Sequence, residues 1–564
     1  MSTFGFNKIF ILESLLPNEL QTGTELERRI NAWAPLQGID CQVVTFPVHS
    51  MLEWEVAWSG IYTSITQMGN NPIIHLEMHG NKTHVGIDKG RNGTISLIEV
   101  FKKVQKANIL SHNNTFLSLA VCKGLNVIRT LSVYEPMPFC GVMGSEETLG
   151  NKELLENYTI FYKAFLNTLN LDAADDTMKA AGIDASKYKI VKPELVFMNA
   201  YLGYLESYSN DIKIVERAKH LAELGGMNFS CKEEENRWIR DCRCILLMTE
   251  NEEYQKAVNQ FFMFDKYPEI RERFQIKPTI YEFREYAAQF EGNEWANEKR
   301  PLTEEDIKGL SIQILHYVDD FCKKNEIKYS LAYGTLIGAI RHKGFIPWDD
   351  DIDIMMLRED YNRFVKLFNH DKSKLFSVES YETNNDFPYP LAKVFCNATV
   401  NYEFGLSRYG FGIDIFPIDK IPMNENEFSR LIKIKNIYWN LFLLKSLGWN
   451  RKRKLRTNVI ILTSKVLVKL IPYSFIHKQM HRVINKYTSL TNNYLLGNLI
   501  SPYGTRDVFD KDIFNEYILL QFDGQYYYGI KDFDSFLTKV YGEYMKYPPK
   551  EAQVTHHEYD PYWK

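Results

Sequence analysis

The sequence predicts an α/β chain of two unlike parts: an N-terminal domain around a parallel sheet, with a helical extension, and a C-terminal α+β domain with a helical insertion. Three observations predict it. Short β-rich runs alternate with helical patterns from Asn7 to about Gly141, as βα units around a parallel sheet do. From about Lys152 to Phe290 the pattern is helical, and after a polar stretch a strand, turn, helix and strand order returns around residues 326–357. At 564 residues the chain exceeds one core, and its 45% hydrophobic and 24% charged content is that of a globular protein.

Taken in order, "KIFILES", "CQVVTFPV", "PIIHLEMHG", "TFLSLAVC" and "FCGVMGS" read as strands and "SLIEVFKKVQKA" as a helix, giving a first domain over residues 1–150. In 151–290, "ELLENYTIFYKAFLNTL" and "YLGYLESYSNDIKIVERAKHLAELG" space apolar residues as helices do. The polar segment 291–301 reads as a linker, and the last domain covers 302–564. Thr303 with Asp306 offers an N-cap and a first-turn acid to a helix running toward Lys324.

Charge and cysteine usage exclude some classes. A net charge of -4 is too near neutral for a whole-chain nucleic-acid argument, and no nucleic-acid partner is indicated. The N-terminus reads as a strand, not a signal peptide. The most apolar later window, Val459 to Ile471, carries Lys465 and Lys469 and is shorter than the roughly 20 residues a membrane span needs. The eight cysteines are scattered, and Cys242 and Cys244 lack zinc spacing. Reduced thiols in a cytoplasmic protein are expected.

The densest chemistry lies in "LAYGTLIGAIRHKGFIPWDDDIDIMML", residues 331–357. A strand ending at Gly334 and Thr335 would leave backbone N–H groups free to meet an anion. "LIGAIR" reads as a short helix, "HKGFIPW" as a loop, and "DIDIMML" as a second strand. Alternation along that strand sets Asp351 and Asp353 on one face, extended by Asp349, with Asp350 pointing the other way. Adjacent like charges ask for a hard divalent cation, Mg²⁺ or Mn²⁺, with oxygen ligands. A solvated acidic turn is the alternative, against which the apolar Ile352, Ile354, Met355 and Met356 weigh. Asp414, in "YGFGIDIFPID", supplies a third carboxylate, while Asp419 caps a turn.

"YGTLIGAIRHKGFIPWDDDIDIMM", "FGIDIFPID" and the C-terminal "VYGEYMKYPP" with "HH" occur in one order. This half resembles the LicD family of phosphocholine-type transferases, which includes fukutin-related proteins. The resemblance implies a nucleotidyltransferase-like fold in which Gly334 and Thr335 face phosphate and Asp351, Asp353 and Asp414 carry the metal chemistry. It also implies that Arg341, His342 and Lys343 neutralise the donor's phosphates. Such enzymes move a phospho-group from a nucleotide-activated donor, such as CDP-choline or a nucleoside triphosphate, to the hydroxyl of a glycan or lipid-linked acceptor. Asp414 is then a candidate base for the acceptor proton, with metal ligation as its competing role.

Weaker features follow. Lys393 either touches phosphate or is simply solvated. Residues 431–480 are basic and amphipathic, with "NRKRKLR" at 450–456; they read as a solvated helical insertion or as a peripheral contact with anionic lipid at the inner membrane face. His556 and His557 lack helical ligand spacing and suit a packing or substrate-rim role.

In the first half, "IIHLEMHG" ends with His79 and Gly80, and "TFLSLAVCKG" carries Cys122, 43 positions later. His and Cys at the carboxyl ends of neighbouring parallel strands are where active sites of open α/β sheets collect. With "FCGVMGSEETLGNKELLENYTIFYKAFL", this half resembles the CHAT and caspase-like cysteine peptidases, although "LAVCKG" lacks the glutamine of the common caspase pattern. That resemblance implies His79 as base, Cys122 as nucleophile, the N–H groups of Gly80 and Cys122 as an oxyanion hole, and a peptide substrate. A buried structural cysteine is the alternative, and Cys140 is another candidate thiol. His75 and Glu77 read as packing or pocket residues.

The expected whole is a metal-dependent LicD-like transferase fused to a caspase-like module. Two rival expectations are a regulated cysteine peptidase or defence protein, with the LicD-like half as sensor or effector, and an inactive caspase-like interaction module attached to a transferase.

Overall fold

A computed structural model describes residues 4–148, 150–185, 187–208, 211–371, 373–385, 387–403, 406–446, 468, 470–501, 503–554 and 560–564. The fold is mixed α/β with parallel-sheet elements, and the chain divides into two compact units, residues 1–213 with 251–297 and residues 214–250 with 298–564.

The first unit is built on β1 (Lys8–Ser14), β2 (Gln42–Pro47), β3 (Pro72–Gly80), β6 (Phe116–Ala120), β7 (Val142–Gly144) and β8 (Lys189–Val191), in the spatial order β2-β1-β3-β6-β7-β8. Between β3 and β6, the short β4 (His84–Gly86) and β5 (Thr94–Ser96) form an antiparallel edge on the end of β3. The main strands run parallel except β8, which is antiparallel to β7. A parallel sheet must be covered on both faces, and the strand sequences are accordingly apolar throughout. Phe10, Leu12, Ile74 and Leu76 pack with Trp54 and Trp58 of helix Met51–Met68. Ile9, Ile11 and Ile73 pack on the other side with Tyr158, Phe161 and Tyr162 of helix Asn151–Thr168.

The helical pattern of 151–290 does not stay in one unit. Helix Lys232–Met248 buries Cys244, Leu247 and Met248 in the core of the second unit. Its arginines are matched there: Arg243 Nε donates to Asp306 Oδ1 at 2.7 Å and Arg240 to Asp523 Oδ2 at 2.6 Å. Arg240 also donates to Asp241 of its own helix, so these long-range pairs add to the buried apolar face in tying the helix to this unit.

The second unit begins with β9 (Arg300–Pro301) and helix Glu304–Lys324, whose start carries the expected Thr303 cap as a capping box with Asp306. It continues through β10 (Ser330–Leu331), helix Tyr333–Arg341, β11 (Asp353–Leu357), helix Arg358–Phe368, β12 (Phe376–Glu379), β13 (Ala392–Cys396), β14 (Thr399–Glu403), β15 (Leu406–Tyr409), β16 (Gly412–Pro422), β17 (Tyr494–Gly497) and β18 (Val508–Phe509). The central order is β10-β11-β16-β13-β12, with β17 added to β16 and β18 to β17. Only the β11–β16 pairing in this sheet is parallel, among the described residues. Helices Glu425–Ser446 and Tyr473–Asn485 form the described part of the insertion, their Leu431 and Ile484 sharing a small core. The basic run 450–456, and His556 and His557, lie outside the described residues. Among the described residues no helix is long and apolar enough to cross a membrane. All eight cysteines are free thiols.

Candidate active site

In the second unit the acids gather where β11 and β16 begin. Asp353 opens β11, and parallel pairing sets it opposite Asp414 of β16. On the other side of β16, antiparallel register sets Lys393 of β13 opposite Asp414, and its Nζ lies 3.0 Å from Asp414 Oδ1. The expected strand over Asp351 to Leu357 is two residues shorter at its start, so Asp351 precedes the sheet in a loop. Strand alternation therefore does not govern residues 349–351. The turn closed by Asp349 N–H donating to Ile346 O instead brings Asp349, Asp350 and Asp351 together, one carboxylate oxygen of each within 4.8 Å of the others. Asp350 joins this group where alternation had turned it away. Asp353 is densely surrounded, and burial first, then the charges of Asp351, Asp414 and Asp349, push its carboxyl well above the usual range; Lys393 offsets part of this.

Gly334 and Thr335 lie in the first turn of helix Tyr333–Arg341, but they serve different purposes. A Cβ built on Gly334 would stand 2.6 Å from Asp349 Oδ2, so only glycine lets that carboxylate approach the helix start. Thr335 is buried, and its hydroxyl accepts from Asp353 N–H at 2.9 Å. That corrects the expectation that Thr335 faces phosphate: its side chain ties the helix to the strand that carries the acid. Tyr333 starts the helix at φ 45°, a left-handed conformation that costs a bulky residue on the order of 1–3 kcal/mol. Its hydroxyl is anchored, donating to Asp507 Oδ2 at 2.6 Å and accepting from Asn498 Nδ2 at 2.7 Å. Burial pushes buried Asp507 up to about 6 against the pull of hydrogen bonds from Ser501 and Tyr333.

Part of this group opens on a cavity of about 740 Å³, lined by Asp349, Asp351, Asp353, Gly334 and Arg341 and by the rings of Tyr333, Trp348, Phe416, Tyr503 and Tyr541; Asp350, Asp414 and Lys393 are not in its lining. Of the three expected phosphate-neutralising residues, Arg341 lines it, its guanidinium 4.8 Å from the Tyr547 ring centroid and its Nη1 donating to Tyr544 O at 2.7 Å. His342 is beside it, 3.3 Å from the Tyr547 hydroxyl, its imidazolium disfavoured by burial and by Arg341. Lys343 is exposed, in a turn at φ 58°. Lys393 pairs with an acid of the site and lies 4.3 Å from the Tyr389 ring centroid.

At the other end of β11 and β16, Asp419 is not a turn cap. Fully buried, it accepts from Arg358 Nε at 2.7 Å and from Nη2 at 2.9 Å. Arg358 also reaches Glu382 Oε1 at 3.3 Å, and His481 Nε2 lies 3.3 Å from the same oxygen. Burial would raise Glu382, but His481 and Arg358 outweigh it and hold its carboxyl near about 2. The sequence reading assigned no role to Asp507, Tyr503 or Tyr541, which lie some 150 residues or more beyond the acidic motif; Tyr541 stands inside the quoted "VYGEYMKYPP", whose signal could have found it.

In the first unit, β3 and β6 pair with Ile73 opposite Phe116 and Glu77 opposite Ala120. That offset of 43 is also the spacing of His79, the penultimate residue of β3, and Cys122, two residues past the end of β6. Glu19, absent from the sequence reading, holds His79: its carboxylate oxygens both lie 3.0 Å from Nε2. Cys122 is half-buried, whereas Cys140 is buried and its thiol pushed up by desolvation, which removes Cys140 as a candidate nucleophile. Gly80 sits against β4, and a Cβ there would meet Val121 Cγ1 at 2.5 Å. His75 is a packing residue, its ring nitrogens 2.9 Å from Ser118 Oγ and 3.1 Å from Glu77 Oε2 in the buried sheet.

Residues 326–431 match the family model described as LicD/FKTN/FKRP, nucleotidyltransferase domain. A lipopolysaccharide cholinephosphotransferase LicD of Haemophilus influenzae is 33% identical over 264 residues, 46% of this chain and 97% of that protein. An uncharacterized protein of Rickettsia typhi is 28% identical over 163 residues, 23% of this chain and 50% of its own. Another, of Rickettsia prowazekii, is 48% identical over 54 residues, 9% of this chain and 20% of its own. With nearly the whole length of the Haemophilus protein matched at that identity, the chain belongs to the LicD family.

Proposed function

We propose that the second unit transfers phosphocholine from a nucleotide donor such as CDP-choline to a hydroxyl of a glycan or lipid-linked acceptor, with Mg²⁺ or Mn²⁺ bound by the acidic loop. The observation that carries this reading is the convergence of Asp349, Asp350 and Asp351, with Asp349, Asp351 and Asp353 lining one cavity together with Arg341. Ligand oxygens around an octahedral Mg²⁺ stand roughly 3.0 to 4.2 Å apart, so the acids, within 4.8 Å of one another, fit the ion with little closure. When bound, the ion would share the negative charge developing on the donor's diphosphate. The residues supply the rest. Arg341 binds phosphate, Gly334 lets Asp349 approach, and Thr335 holds Asp353 in register. A new P–O bond forms to the acceptor oxygen as the P–O bond to the nucleoside monophosphate breaks, and Asp414, with Lys393 fixed beside it, takes the acceptor proton. The relative's name, a lipopolysaccharide cholinephosphotransferase, supports the choice of phosphocholine and of a glycan acceptor.

Calorimetric titration of the full chain with CDP-choline and Mg²⁺ tests this. Asp351→Ala with Asp353→Ala is expected to weaken binding at least about 100-fold, since metal sites supply several kcal/mol of charge stabilisation; unchanged binding would remove the reading.

A second reading, of the first unit as a caspase-like cysteine peptidase, is favoured by one observation: His79 and Cys122 share the 43-residue offset of the β3–β6 register, just beyond its last pair, Glu77 with Ala120. There His79, oriented by Glu19, would take the Cys122 thiol proton, and Gly80 N–H would serve an oxyanion. His79→Ala is expected to slow alkylation of Cys122 by iodoacetamide about 10-fold at neutral pH. An equal rate would leave the unit as an interaction module.

A further inference from the structure

The aromatic lining of the second unit's cavity has two parts of opposite electrostatic character. One part is a corner made by Tyr333, Phe416, Tyr503 and Tyr541. Tyr333 meets Phe416 at 5.3 Å between centroids and 83°, and Tyr503 at 5.6 Å and 34°; Tyr503 meets Tyr541 at 5.2 Å and 68°. Their planes thus enclose a corner and do not form a flat stacking platform. The hydroxyls are already engaged, Tyr503 with Tyr541 at 2.9 Å and Tyr333 with Asp507 at 2.6 Å. What these side chains offer the cavity is therefore ring surface. Asp349, Asp351 and Asp353 line the same cavity as these rings.

The other part holds Trp348 with Arg341 and Lys546. Trp348 and Tyr547 are 6.1 Å apart, and the Tyr547 face already carries the Arg341 guanidinium. A cation would be repelled there, whereas a phosphate or an uncharged base would be accepted.

A quaternary ammonium has no N–H to donate, so it is recognised by ring faces and by nearby negative charge, not by hydrogen bonds. We propose that the Tyr333, Phe416, Tyr503 and Tyr541 corner is the subsite for the donor's quaternary ammonium group. The inference rests on the phosphocholine-transfer reading above and assigns one end of its donor. It orients the donor so that the trimethylammonium end lies in the tyrosine corner, the diphosphate between the aspartates and Arg341, and the nucleoside toward Trp348.

Three ligands titrated into the full chain with Mg²⁺ test the assignment: CDP-choline, CDP, and the CDP ester of 3,3-dimethylbutanol, which keeps the shape of choline without its charge. Wild type is expected to bind CDP-choline about ten-fold more tightly than the neutral isostere. Tyr503→Leu should bring that ratio toward one, while Tyr503→Phe, which keeps the ring, should preserve it. Equal affinity of wild type for the charged and neutral esters would overturn the assignment, whether or not the leucine variant folds. So would a leucine variant that weakens all three ligands alike, which would make the corner a base platform. If none of the three binds wild type, the transferase reading falls and takes this inference with it; if CDP binds and charge makes no difference, only the subsite is wrong.

Discussion

The two units both set reactive groups at the ends of adjacent parallel strands, but at opposite ends. In the first, His79 is the penultimate residue of β3 and Cys122 lies two residues past β6; in the second, Asp353 and Asp414 stand at or near the amino ends of β11 and β16. A carboxyl-end pair is made by residues at or just past the ends of two strands, so the strands' register sets its spacing in sequence. An amino-end site must instead be completed by what precedes the strand, here the 349–351 loop and the start of helix Tyr333–Arg341, and by the distant Tyr503 and Tyr541. The ion pairs differ as well. Glu19 and His79 keep side-chain exposures of 16% and 28%, whereas Asp419 and Arg358 keep 0% and 10%, so breaking the second pair leaves a buried charge and breaking the first does not.

The strongest way to break that comparison is Arg358→Ala. It leaves the Asp419 carboxylate buried without its bidentate partner, and the expected loss is about 3–5 kcal/mol in denaturant unfolding of the second unit. A loss below about 1 kcal/mol, the range of an exposed pair, would erase the distinction between the units.

A smaller effect comes from Asp507. Its native carboxyl lies at about 6, above the 3.8 of an unperturbed group. Raised acids contribute stability that is present below the unfolded value and lost as pH rises through the folded one. Wild type should therefore lose up to about 3 kcal/mol from this group between pH 4 and pH 7. Asp507→Asn keeps an acceptor for the Tyr333 hydroxyl and should remove that loss, read as a flatter pH profile of urea midpoints. Parallel profiles for the two proteins would show that Asp507 is not the titrating group.

The most local change is Gly334→Ala. Alanine suits a helix, so the melting temperature should hold, but its Cβ would displace Asp349. Affinity for nucleotide with Mg²⁺ is expected to fall about ten-fold, a loss of about 1.4 kcal/mol. Unaltered affinity would place Asp349 outside the ion's reach.

Some of this was legible in the residues. The β-rich runs of the first 141 residues became the parallel strands, because doubly covered strands read as unbroken apolar runs. The Thr303 cap and the clustering of acids around residue 350 were legible for the same local reason. Helix Lys232–Met248 was not assignable to a unit, since its periodicity shows an apolar face but not the core that face will meet. Asp419 followed a proline and looked like a cap; only Arg358, 61 residues earlier, makes it a buried charge. Thr335 carries the same hydroxyl whether it faces phosphate or Asp353 N–H, and chain direction after the turn decides between them.

By itself the sequence determined which segments become strands and helices, where the carboxylates cluster, and the 43-residue offset of His79 and Cys122, because periodicity and spacing are properties of a chain read locally. Tertiary structure alone decided that β11 starts at Asp353, that Asp350 joins the acidic loop, that Glu19 holds His79, and that four rings from Tyr333 to Tyr541 meet around one cavity. Those contacts join residues far apart in sequence, and they form because the packed core, not the local pattern, sets which side chains share a space.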